Sequence, residues 1–182
     1  MKTKFLIITV LFCYMFTGCK NEKTSQKTSD SPQEQISDEG FKVYLDVLVN
    51  KDDNFQLYYI ETNDEPFTEE KSIWIEVKGK DASQKLTFTL PKDVVPALIR
   101  LDFGVSDKQQ DIKLLDFEMD YFGKTFKSKG SMMANYFRPL EGTNIDFSTG
   151  TIKANMKNGK RVEPVLYPHE IPLGDEISKI VK

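Results

Sequence analysis

The chain has 182 residues, 12% of them aromatic and 29% charged, with a formal net charge of −3 and both signs mixed along its length. A mild acidic balance without a basic cluster argues against nucleic acid as a partner. One histidine and two cysteines exclude a multi-histidine metal site, and any Ser-His-Asp or Cys-His arrangement would have to pass through His169.

The first residues predict export. Lys2 and Lys4 precede an apolar run from Phe5 to Phe16, and the small pair Thr17-Gly18 stands before Cys19. Basic, apolar and small-residue regions in that order make a secretion signal, and the apolar run is shorter than the roughly 17 to 25 residues of a transmembrane helix. The segment Phe16-Thr17-Gly18-Cys19 resembles the lipobox of bacterial lipoproteins, with Phe16 where Leu is usual. That resemblance implies cleavage before Cys19, diacylglyceryl attachment to its thiol and acylation of the new amino group. Lys20 in place of Asp implies onward sorting to the outer membrane, with the side faced by the domain left open. An ordinary signal cleaved near Gly18, with Cys19 unmodified, is the plainer alternative.

Residues 1–18 are therefore expected to be signal, 19–40 a lipidated Cys19 and flexible polar tether, and 41–182 one folded domain. Between Lys20 and Gly40 only Ile36 is a large aliphatic residue, too little apolar surface to offset the entropy of ordering. Cys13 and Cys19 both precede the domain, so an exported domain has no disulfide to form and must be held by packing. Removing Lys2 and Lys4 with the signal takes two positive charges away, from −3 to −5.

Beyond Gly40 the pattern is that of strands. In Phe41 to Val49 every odd position is apolar, the period of a strand with one buried face. Asn50 to Asn54 reads as a turn and Phe55 to Ile60 as a second strand, the two forming a hairpin. Thr62 to Glu70 is a polar loop. Ser72 to Val77 follows as a strand, then Lys85 to Leu90 and Ala97 to Gly104, the last with Ile99, Leu101 and Phe103 inward and Arg100 and Asp102 outward. From Ile112 to Tyr121 the apolar phase switches between Leu114 and Leu115, which predicts a β-bulge there. Phe122-Gly123-Lys124 turns into Thr125 to Lys127 as a second hairpin, and Lys129 to Arg138 has room for one short helical turn. Ile145 to Phe147 and Thr151 to Ala154 are further strands. The tail carries Gly159, Pro164, Pro168, Pro172 and Gly174 and is expected to hold one weak amphipathic turn at most. Eight or nine short strands without a convincing helix predict an all-β fold, an antiparallel β-sandwich of jelly-roll-like topology with few or no substantial helices.

Chemistry is sparse. His169 reads as a surface loop histidine, and neither a phosphate-binding Gly-rich loop nor a Gly-x-Ser-x-Gly elbow is present. No catalytic residue, metal or cofactor is expected. Asp116, Glu118 and Asp120 alternate along one strand face and read as a solvated surface. Asp52-Asp53-Asn54 has clustered oxygens but not the spacing of a calcium loop. Arg138 is expected beside an acidic neighbour or in solvent, and Met132 and Met133 in a covering segment.

The aromatic residues are more suggestive. Tyr44, Tyr58 and Trp74 fall opposite the core positions of the first three strands, where rings on a sheet surface can stack on sugars or on a partner protein. Coverage by residues 129–138 or by the tail, in a secondary core, is the alternative for them. The leading expectation is a non-enzymatic outer-membrane lipoprotein, attached to the membrane through Cys19, whose β-sandwich binds a ligand, possible partners being a glycan or an envelope protein. The alternatives are an assembly component docking onto an envelope complex, or a hydrolase working with carboxylates alone.

Overall fold

A computed structural model describes residues 40–108, 110–153 and 155–182. The predicted signal, Cys19 and the tether up to residue 39 lie outside the described residues. What is described is a largely antiparallel all-β domain with few helices.

Its strands are β1 (Phe41–Leu48), β2 (Asp53–Ile60), β3 (Ser72–Val77), β4 (Gln84–Thr89), β5 (Leu98–Phe103), β6 (Ile112–Tyr121) and β7 (Lys124–Lys129). The short strands β8 (Phe137–Pro139), β9 (Asn144–Asp146), β10 (Thr151–Lys153), β11 (Asn155–Lys157), β12 (Lys160–Val162) and β13 (Val165–Pro168) follow, and α1 (Glu170–Val181) closes the chain. One sheet runs β4-β1-β6-β10-β9, with β7 also on β6; a second runs β3-β2-β5-β13-β8; β11 and β12 form a separate ribbon. The predicted inward residues of both sheets, among them Phe41, Val43, Leu45 and Val47 of β1 and Phe55, Leu57, Ile99, Leu101 and Phe103 of β2 and β5, join one buried apolar cluster.

The expected hairpin between the first two strands does not form. β1 pairs with β4 and β6, while β2 pairs with β3 and β5, so the Asn50 to Asp52 turn passes the chain from one sheet to the other. Both segments have one apolar face, and burying the two faces against each other is an alternative to pairing their edges that alternation alone cannot distinguish.

The predicted bulge is present. Asp46 faces Asp116 and Val47 faces Leu114, so Leu115 is the extra residue on β6. Two glycines make the bulge possible: a Cβ on Gly130 would lie 1.9 Å from the Leu114 carbonyl oxygen, and one on Gly150 2.2 Å from it. The Leu114 N–H donates to the Gly150 carbonyl at 2.8 Å. The hairpin β6-β7 also forms, its two-residue turn holding Phe122 and Gly123 at φ 50° and 83°, the left-handed pair that matches strand twist.

The tail departs from expectation. Glu170–Val181 is a 12-residue helix with Leu173, Ile177 and Ile180 buried, packed against β5, β6 and β7. Pro172 falls in its first turn, where a missing N–H costs nothing, and burial of the apolar stripe outweighs the low helix propensity of Gly174. Met133 is buried in a 3₁₀ segment, Gly130–Asn135, the short helical turn expected there. Among the described residues no helix is long and apolar enough to cross a membrane.

Candidate functional site

The outer face of the second sheet gathers two of the three predicted rings with charged groups. Register places Trp74, Gln56, Asp102 and Val165 in one row across β3, β2, β5 and β13. Ser72, Tyr58 and Arg100 form the adjacent row. Tyr167 and Arg138 pair across β13 and β8 at the far edge.

Tyr58 is not wet as expected; only 6% of it is exposed. Its cover is neither the 129–138 segment nor the tail but the 3₁₀ turn Glu69–Lys71 at the end of the polar loop. The Tyr58 hydroxyl donates to Glu69 Oε1, and Gln56 Nε2 donates to Glu69 Oε2 at 2.8 Å and to Ser72 Oγ at 2.9 Å. Burial, with the Glu69 carboxylate beside it, pushes the Tyr58 hydroxyl up. The same hydrogen bond from Tyr58, with that from Gln56, holds Glu69 below its ordinary range. Trp74 stays 48% exposed.

Below Tyr58 lies a guanidinium. Arg100 sits 4.2 Å over the Tyr58 ring and donates in a two-pronged contact to Asp102, from Nε to Oδ1 at 2.8 Å and from Nη2 to Oδ2. The ring takes the flat side of the guanidinium and the carboxylate takes its edge. With 1% of its side chain exposed, Asp102 is pushed up by burial even against the pull of Arg100. Burial, with the Asp102 charge nearby, also raises Glu163. A carboxylate hydrolase needs acids with separated pKa values converging in one cleft; these three are shifted in different directions, and none of them lines a described hollow. Asp102 is committed to Arg100, and Glu69 to Tyr58 and Gln56.

At the far edge Arg138 lies 4.7 Å over the Tyr167 ring, and Phe67 from the covering loop meets Tyr167 edge-on at 5.4 Å. A cavity of about 580 Å³ opens here, lined by Arg138, Tyr167, Pro168, His169, Ile171 and Asn135 among others. His169 is half-buried at the N-cap of α1, where its backbone N–H donates to the Tyr136 carbonyl at 2.7 Å. It is thus a half-buried loop residue, as expected, that also lines this open hollow.

Tyr44 is separate from this face. It lies on the outer face of the first sheet, half-buried, with Lys85 4.1 Å over its ring. Hollows of about 290 and 440 Å³ flank it. The predicted carboxylate row is here: Asp116 meets Lys129 at 2.8 Å, Glu118 meets Lys85 at 2.9 Å and Lys127 at 3.2 Å, and Asp120 accepts from the Gly123 N–H at 3.4 Å. Burial pushes Glu118 up, and the two lysines more than offset this, leaving it below its ordinary range.

The Asp52-Asp53-Asn54 turn is structural. Asp53 is fully buried and accepts from the backbone N–H groups of Asn54, Val105 and Ser106 at 2.8 to 2.9 Å and from Arg161 Nη1 at 3.1 Å. Among the described residues no cluster of His, Cys, Asp and Glu is arranged to hold a metal ion.

Sequence reasoning did not single out Phe67 or Tyr167. Tyr167 lies on a four-residue strand, too short for alternation to declare a face, and Phe67 on a loop. Comparison with family models, curated proteins and solved structures finds no match to the chain.

Proposed function

We propose that the chain is a non-enzymatic lipoprotein of the bacterial outer membrane, anchored through Cys19, whose domain binds a glycan on the outer face of the second sheet. The observation that carries this reading is Trp74, a large ring left half exposed in a row with Gln56 and Asp102. An exposed indole on a sheet surface suits the C–H face of a sugar ring. The order of basic, apolar and small residues before Cys19, with the polar stretch behind it, supports anchoring.

The strand order also supports a jelly-roll sandwich. Six consecutive strands, β1 to β6, make the triads β4-β1-β6 and β3-β2-β5, the arrangement that the last six strands of a jelly roll take. Such a scaffold presents each sheet's outer face as one rigid, twisted platform.

A glycan array probed with the full-length protein in detergent, repeated with Trp74→Ala, tests the binding. A specific signal lost in the variant with its thermal melt unchanged is the expected result; a signal unaffected by the substitution removes Trp74 from the site. Mass spectrometry of the mature N-terminus is expected to find acylated Cys19, and an unmodified terminus would overturn the anchor. A second reading, docking onto an envelope protein, draws on the position of Trp74 on β3, an edge strand of its sheet. It predicts an envelope protein captured by the wild type and not by Trp74→Ala, with a blank glycan array.

A further inference from the structure

We propose that the cavity beside Tyr167 takes the carboxylate of an acidic sugar, gripped edge-on by Arg138; this rests on the glycan reading and extends it to a second subsite on the same face. The outer face of the second sheet contains the same construction twice. Tyr58 and Arg100 are directly opposite each other on β2 and β5, with the guanidinium over the ring. Tyr167 and Arg138 are directly opposite each other on β13 and β8, again with the guanidinium over the ring.

In the first pair the exposed edge of the guanidinium is filled from within the protein, by Asp102 two residues along the strand. In the second, the residue two along is Leu140, which has no charge to offer and is itself 39% exposed. Among the described residues no carboxylate pairs with Arg138. With its carbon 4.7 Å over the Tyr167 ring, the Arg138 guanidinium keeps a planar N–H fork available to both oxygens of a carboxylate. The construction at Arg138 therefore lacks the carboxylate that Asp102 supplies at Arg100.

The surroundings favour a sugar as the bearer of that carboxylate. The hollow, about 580 Å³ and widely open to solvent, has room for one sugar ring lying against its floor. Tyr167, Ile171 and Pro172 line it with apolar surface that suits the C–H face of a sugar ring, and Asn135 and His169 add polar groups to the lining. Glu170 also lines the hollow, at the exposed start of α1, and its charge opposes an anionic ligand, so the grip of Arg138 has to outweigh it.

Titration of the full-length protein in detergent with sodium glucuronate, glucose and sodium acetate, followed by saturation-transfer NMR, tests the proposal. Glucuronate is expected to bind saturably, and glucose and acetate at least tenfold more weakly. Arg138→Gln and Arg138→Lys are each expected to weaken glucuronate at least tenfold, since lysine keeps the charge but not the planar fork, while Tyr44→Ala, on the other sheet, leaves it within twofold. Equal binding of glucuronate and glucose, acetate competing as well as glucuronate, absence of glucuronate binding, or an Arg138→Gln variant that binds like the wild type would each overturn it. Array signals that vanish in Trp74→Ala and survive in Arg138→Gln would sink this inference alone; a blank array would sink the glycan reading itself.

Discussion

On the outer face of the first sheet, Asp116 and Glu118 of β6 meet well-exposed lysines of β4 and β7; on the outer face of the second, arginines lie on tyrosine rings and Arg100 holds a buried carboxylate. Lys129 and Asp116 keep 73% and 43% of their side chains exposed, whereas Arg100 and Asp102 keep 22% and 1%. Exposed pairs of the first kind contribute little and are screened by salt. A buried pair of the second kind is costly to break because the surviving charge has no water to return to. On the first face Asp116 and Glu118 each meet a lysine, while on the second Arg138 lies over Tyr167 with no carboxylate partner among the described residues.

The largest effect that would break this comparison is on Asp102. Asp102→Ala leaves Arg100 without its carboxylate and is expected to lower unfolding free energy by about 3 kcal/mol or more, against about 0.5 kcal/mol or less for Asp116→Ala. Urea denaturation of the two variants measures both, and equal losses would mean that the faces do not differ in kind. Next is Gly130→Ala, which drives a Cβ into the Leu114 carbonyl and is expected to cost about 2 to 3 kcal/mol. Its larger meaning is register, because the bulge sets which residues of β6 face water. A variant as stable as the wild type would show that Gly130 is not needed there.

The pH dependence has opposite signs at Asp102 and at Glu118. Asp102 is raised in the fold, so the native state binds its proton more readily than the unfolded chain, and its contribution improves as pH falls from the raised value toward the ordinary value of about 4. Glu118 is lowered, so its contribution is full above its ordinary value of about 4.3 and is lost as pH falls through the native one. Stability of the wild type relative to Asp102→Asn is therefore expected to rise with acidification, and relative to Glu118→Gln to fall. Unfolding curves of the three proteins between pH 3 and pH 7 check the signs, and slopes of one sign would contradict the contrast. The smallest expected effect on stability separates the rings. Trp74→Ala and Tyr44→Ala are each expected to change it by about 0.5 kcal/mol or less, yet only the former should lose ligand, as read by the glycan array.

Much of the fold was legible because strand alternation is local. Odd positions of β1, the inward set of β5, and the phase switch at Leu115 all follow from where apolar residues fall in a pleated chain. The crossing between β1 and β2 was not legible, since pairing and face-to-face packing demand the same pattern. Nor was α1, in which Pro172 and Gly174 read as breakers until its apolar stripe had a surface to cover. The site was half legible: Trp74 stands exposed on a sheet surface as its phase implies, Tyr58 is covered by residues 11 positions away, and Tyr44 belongs to the other sheet.

By itself, then, the sequence determined which side chains turn inward and where β6 slips phase, because both depend on neighbours one or two residues apart. Only the tertiary structure decided that Tyr58 would lie under Glu69, that Arg100 would find Asp102, and that Arg138 would rest on Tyr167 with no carboxylate at its edge. Those outcomes depend on which strands lie side by side and which loop folds over them, long-range choices that a period of two does not encode.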